Sequence, residues 1–89
     1  MLVRELTVTN KAGLHTRPAS MIVRAAARFK SDFYIQKDGY EINGKSIIGV
    51  MTLAAEQGAI LKLTFDGEDE AAAAEEISRI FADGFGEEK

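Results

Sequence analysis

The sequence has no cysteine, no tryptophan, a single proline and a single histidine among its 89 residues. Without cysteine there is no disulfide framework, no thiolate zinc site and no thiol redox chemistry. One histidine leaves too few ligands for a structural metal site, and no motif asks for a cofactor. No apolar run approaches the roughly 18 residues that a membrane helix needs. The opening Met1-Leu2-Val3-Arg4-Glu5 lacks the build of a signal peptide. The expectation is a soluble, cytoplasmic chain without membrane insertion.

Hydrophobic residues make up 46% and charged residues 28%, a globular balance rather than a disordered one. A chain this short makes one domain, residues 1–89. Folding at this size removes only roughly 60–65% of the surface of the unfolded chain. That allows a modest core and argues against a deep cavity for a large ligand.

The net charge of −3 argues against nucleic acid as a partner. Its distribution says more. Between Leu6 and Ser31 the charges are Lys11, Arg17, Arg24, Arg28 and Lys30, with no acidic residue, whereas from Asp66 onward carboxylates face only Arg79 and Lys89. Either these are two solvated faces of opposite sign, or the basic segment meets something anionic.

Apolar periodicity orders the elements. Leu2 to Val8 alternates as a strand; from Thr16, residues Ala19, Ile22, Val23, Ala26 and Phe29 fall at helical spacing, ending near Arg28. Thr16 reads as the N-cap and Pro18 as a first-turn residue, with Arg17, Arg24 and Arg28 on the polar side. Asp32 to Lys37 and Tyr40 to Asn43 form a hairpin around Asp38-Gly39. A short helix from Ile47 to Leu53 or Ala54 follows, capped by Ser46, and Ala59 to Phe65 is the clearest strand. The carboxylates of Asp66 to Glu70 suit the start of a last helix burying Ala73, Ile77, Ile80 and Phe81, with Gly84 as its stop. The expected class is α+β in the order β-α-β-β-α-β-α: a four-stranded antiparallel sheet with three helices on one face.

His15 stands immediately before a helix N-terminus, where unpartnered backbone N–H groups favour anions and the positive helix end disfavours imidazolium. Arg17 offers a planar fork suited to phosphate oxygens. These parts suit a histidine that accepts a phosphoryl group; spacing alone fits better an exposed loop histidine beside a solvated arginine. Ser46 reads first as a helix cap and only second as a phosphorylation site. Ile47, Ile48 and Met51 are too many apolar residues for so short a helix to bury, so some of them form a contact patch. Gly44-Lys45-Ser46 lacks the upstream glycine and parallel sheet of a P-loop.

Gly13-Leu14-His15-Thr16-Arg17-Pro18-Ala19 resembles the active-site signature of the HPr family of histidine-containing phosphocarriers. Lys45-Ser46-Ile47-Ile48-Gly49-Val50-Met51 resembles that family's second signature, around a regulatory serine. The likeness runs from about Val3 to Gly84 and implies an open-faced β-sandwich. It implies that His15 takes a phosphoryl group on Nδ1 from phosphorylated enzyme I and hands it to enzyme II components such as enzyme IIA for sugar uptake. Arg17 would steady the phosphoryl oxygens, and Ser46 would be the target of an HPr kinase/phosphorylase. Thr16, Ser20, Met21, Arg24, Ile47, Ile48 and Met51, with Arg17, would form the docking surface. The resemblance implies a phosphoryl carrier rather than an enzyme, and the small exposed patch suggests a monomer. A regulatory or nitrogen-branch phosphocarrier that signals through protein partners is the alternative within the family. An RNA-binding module would need a basic, aromatic-rich open sheet face, and an acyl-carrier-like protein an all-helical bundle.

Overall fold

The computed structural model describes residues 1–89. The elements follow in the order β1 (Leu2–Thr7), α1 (Thr16–Ala27), β2 (Asp32–Lys37), β3 (Tyr40–Asn43), α2 (Ile47–Thr52), β4 (Ile60–Asp66) and α3 (Glu70–Ala82), closed by a 3₁₀ turn, Gly84–Gly86. The strands form one antiparallel sheet in the order β1-β4-β2-β3. Strand alternation decides which side the helices cover. In β4, Leu61, Leu63 and Phe65 are buried while Ile60, Lys62 and Asp66 are exposed; in β2, Phe33 and Ile35 are buried beside exposed Tyr34. Phe33 and Phe65 sit opposite each other across the β2–β4 ladder with rings stacked at 4.7 Å between centroids, a cross-strand aromatic pair at the centre of the core. The class, element order and open-faced arrangement expected from the sequence are those of the structure.

Three local expectations change. The N-cap of α1 is His15, not Thr16, and its side chain makes no capping bond. In α1 the core-facing positions are Pro18, Ala19, Ile22, Ala25 and Ala26, with Val23 and Phe29 only partly buried; in α3, Ala74 is buried where Ile80 is half-covered. The carboxylates ahead of α3 do not share one role. Asp66 ends β4, Glu70 accepts the Gly67 N–H at 3.1 Å, and Asp69 reaches across to α1's exit. There Asp69 accepts the N–H groups of Lys30 (2.8 Å) and Ser31 (2.9 Å) and the Ser31 hydroxyl.

Gly84 does end α3, but the chain does not leave the body there. Phe85 follows in a left-handed conformation (φ 59°) and is fully buried, edge-on to Phe81 at 5.0 Å between ring centroids. An aromatic ring outweighs the strain of that backbone because burying it removes a large apolar surface from water. Residues 86–89 are thereby carried back towards the loop after β1, where the Lys11 N–H donates to the Glu88 carbonyl at 2.8 Å.

The Ser31 hydroxyl, then the Lys30 and Ser31 N–H groups, hold the Asp69 carboxyl at about 2, below its ordinary 3.8. Its stabilisation is therefore complete above 3.8 and is lost as the pH falls through about 2. Asp69→Asn should melt a few degrees below the parent near neutral pH, with the gap closing by pH 2, as thermal melts across a pH series will show.

Candidate functional site

The loop between β1 and α1 is held by backbone it would otherwise leave unpaired. Asn10 is fully buried; its carbonyl accepts the Gly13 N–H (3.2 Å) and its Nδ2 donates to the Gly13 carbonyl (2.9 Å). Leu14 N–H donates to the Ala55 carbonyl at 2.9 Å, stitching this loop to the one after α2. Gly13 is required for that approach. Its φ is +73°, and a Cβ there would stand 2.5 Å from the Ala55 carbonyl oxygen. The chain then turns at His15, in extended conformation (φ −81°, ψ −168°), and the His15 carbonyl accepts the first helical bond from Ala19 at 3.0 Å. Buried Pro18 stiffens this first turn.

His15 is exposed, as the sequence suggests, but it is not alone at the helix end. Its Nε2 lies 2.9 Å from Oε1 and 2.8 Å from Oε2 of Glu87. Asn10 Nδ2 donates to the same Oε1 at 2.9 Å, and Arg17 Nη1 stands 4.0 Å from Oε2. The His15 bond, the Asn10 bond and the charges of His15 and Arg17 hold the Glu87 carboxyl below the usual carboxylate range, against the opposing effect of partial burial. The ring therefore sits between a donor-rich helix start and a carboxylate, where the sequence suggested the helix end only. Its protein hydrogen bond is made through Nε2, leaving Nδ1 free of one. Arg17 is largely solvent-exposed and touches Glu87 only at the limit of an ion pair, so its fork is available to another anion.

Ser46 caps α2: its Oγ accepts the Gly49 N–H at 3.1 Å. Behind it Val50 is buried, while Ile47, Ile48 and Met51 are exposed, Ile48 by 73%. α2 packs against α1. On α1, Thr16, Arg17 and Arg24 are exposed, Ser20 is half-buried, and Met21 packs partly against the core. Arg24 has no carboxylate partner, whereas Arg28 is tied to Glu76 of α3 at 2.9 Å, so Arg28 drops out of the free basic face. No three His, Cys, Asp or Glu side chains gather as a metal site, and no pocket opens in the surface. The site is a small exposed platform.

Sequence reasoning missed Glu87 and Asn10. A signal existed in Phe85, a large aromatic just past a helix stop, which implies that the chain folds back to bury it.

The model of the family described as the HPr component phosphorylation site of the PTS matches residues 2–83. This chain belongs to the HPr family. It is 46% identical over 88 residues to the phosphocarrier protein HPr of Xylella fastidiosa (strain Temecula1), covering 99% of each chain, and 47% identical over 88 residues to that of Treponema pallidum, covering 99% of this chain and 100% of that one. Its structure superposes on the crystal structure of HPr-C-His from Thermoanaerobacter tengcongensis with a TM-score of 0.95 at 38% identity, covering 100% of both chains. HPr proteins are phosphocarriers of the phosphotransferase system, and this chain shares their fold. No helix is long and apolar enough to cross a membrane. Solved dimers among the similar structures bear against the expected monomer. A crystal structure of an HPr dimer from T. tengcongensis is also similar, with a TM-score of 0.79 at 39% identity over 92% of this chain and 94% of that one.

Gly13→Ala should destabilise the fold by about 1–3 kcal/mol, through strain at positive φ and the clash with Ala55. Urea unfolding measures the loss, and a chemical-shift change at His15 will show that the loop sets the histidine's position.

Proposed function

We propose that residues 1–89 form one phosphocarrier domain, working in the cytoplasm, in which His15 Nδ1 accepts a phosphoryl group from phosphorylated enzyme I. The group originates in phosphoenolpyruvate and passes on to enzyme IIA components for sugar uptake. The observation that carries this reading is the His15 ring: exposed at the start of α1 and hydrogen-bonded through Nε2, which leaves the Nδ1 lone pair without a protein donor. The first turn of α1 and the exposed guanidinium of Arg17 would favour the new negative charge. A histidine phosphoramidate keeps a high transfer potential, so the carrier has only to hold it exposed and oriented. The docked partner supplies desolvation and alignment.

Docking would use Thr16, Arg17, Ser20, Met21 and Arg24 of α1 with Ile47, Ile48 and Met51 of α2. Unpaired arginine beside exposed apolar side chains suits a partner whose groove is apolar with an acidic rim. Ser46, exposed and at a helix start, would be the target of an HPr kinase/phosphorylase where one exists. Its phosphate would stay on the Gly49 N–H but bring two negative charges into the docking patch without refolding α2.

The second reading is a regulatory or nitrogen-branch phosphocarrier that signals through protein partners without serving sugar transport; the chain is also 42% identical over 78 residues to the HPr-like protein Crh of Bacillus subtilis, covering 88% of this chain and 92% of that one. Acceptance from enzyme I without onward transfer to any enzyme IIA would select it.

With phosphoenolpyruvate and enzyme I, the chain should gain one acid-labile, alkali-stable phosphate, absent from His15→Ala. Loss of label in the parent, or label retained in that variant, overturns the assignment. Arg17→Ala should fold normally and transfer about 10- to 100-fold more slowly in rapid-quench measurements. Ser46→Asp should accept from enzyme I about 10-fold more slowly with unchanged circular dichroism.

A further inference from the structure

The segment after Gly84 lies beyond the residues that the family model matches, 2–83, yet it supplies the closest partner of the His15 ring. We infer that Glu87 is a positioning residue for phosphoryl transfer, holding the proton on His15 Nε2 so that the ring enters and leaves the reaction through Nδ1 as neutral imidazole. This rests on His15 being the phosphoryl acceptor.

The geometry is built rather than incidental. Both Glu87 oxygens lie within 2.9 Å of Nε2, and Oε1 is held from the far side by Asn10 Nδ2. Asn10 is fully buried and clamps the Gly13 carbonyl with the same amide, so the carboxylate is referenced to the loop that places the histidine. Phe85, two residues before Glu87, is buried in the core, and the Lys11 N–H holds the Glu88 carbonyl, which fixes the backbone on both sides of Glu87. The remaining charges nearby have other partners or stand off. Lys11 pairs with Glu88 at 3.3 Å, Glu56 faces Lys37 at 3.6 Å, and Arg17 reaches Glu87 at 4.0 Å.

The chemistry requires such a group. The Nδ1 lone pair attacks phosphorus and forms the new N–P bond. The donor's P–N bond breaks and its electron pair leaves with the donor nitrogen. The ring then carries phosphate on Nδ1, a proton on Nε2 and a positive charge that the Glu87 carboxylate offsets, as a buried carboxylate offsets imidazolium in a hydrolase triad. In the onward step the N–P electron pair returns to Nδ1, and the leaving group is neutral imidazole because Nε2 has kept its proton. Without the carboxylate that proton is lost more readily, and the leaving group would be imidazolate, a far poorer one. Glu87 thus acts on both halves of the relay without touching the phosphoryl group.

The test charges the parent, Glu87→Gln and Glu87→Asp in two ways, with enzyme I plus phosphoenolpyruvate and with phosphoramidate, which needs no protein donor. Glu87→Gln keeps the size and one acceptor oxygen within reach of both the Asn10 and His15 donors, and removes the charge, so it should fold as the parent. It should accept phosphate about 10-fold more slowly from either donor. The hydrolysis rate of its phosphohistidine should begin to fall at lower pH than the parent's, and Glu87→Asp should recover part of both effects. Parent-like rates and an unchanged pH profile in Glu87→Gln overturn the inference. A loss confined to the enzyme I arm overturns it too, by placing Glu87 in docking. Failure of the parent with enzyme I alone strikes the proposed function instead, and the phosphoramidate arm still decides the role of Glu87.

Discussion

A single buried amide organises the functional end of this protein. Asn10 is fully enclosed, and its Nδ2 donates both to the Gly13 carbonyl and to the Glu87 carboxylate. A buried polar group without partners is costly, so the loop ahead of α1 and the segment after α3 are drawn to the same point. Gly13 allows the loop to press on Ala55, the His15 backbone turns into α1, and the His15 ring meets a carboxylate from the far end of the chain. The Phe81–Phe85 contact secures that arrival from below. The polar chemistry at the surface thus stands on an apolar anchor.

A small platform suits the proposed reaction, which would ask little of the carrier. A ring that passed a phosphoryl group between two successive partners would have to be reachable by both, so a deep cleft would hinder it. The structure has no pocket, and instead sets an exposed histidine beside an uncommitted arginine and an apolar helix start. Charge is partitioned as well. Arg28 is paired with Glu76 within the fold, whereas Arg24 has no carboxylate partner and Arg17 only reaches Glu87 at 4.0 Å. Such a surface favours fast, reversible encounter over tight association.

Ser46 caps the fold and, in the proposed regulation, would also carry the phosphate. Its Oγ caps α2 through Gly49 N–H, and a phosphate in its place could keep that bond while reversing the charge beside Ile47 and Ile48. Because α2 has only six residues and is held by Val50 and by packing against α1, the effect of the modification would be local.

The strands, the helices, the Asp38-Gly39 hairpin and the Ser46 cap were legible in the order of residues because each depends on neighbours a few positions away. The same holds for His15 and Arg17, whose motif is continuous. Thr16 was misplaced as a cap because sequence preference for a hydroxyl cannot weigh a loop already pinned by Asn10 and Ala55. Pairing of Asp69 with Lys30 and Ser31, and of Glu87 with His15, joins residues 38, 39 and 72 positions apart. Local pattern thus determined the elements and the candidate phosphoryl acceptor. Only the closed core, by burying Phe85 and bringing both ends of the chain to Asn10, decided which carboxylate the histidine would face.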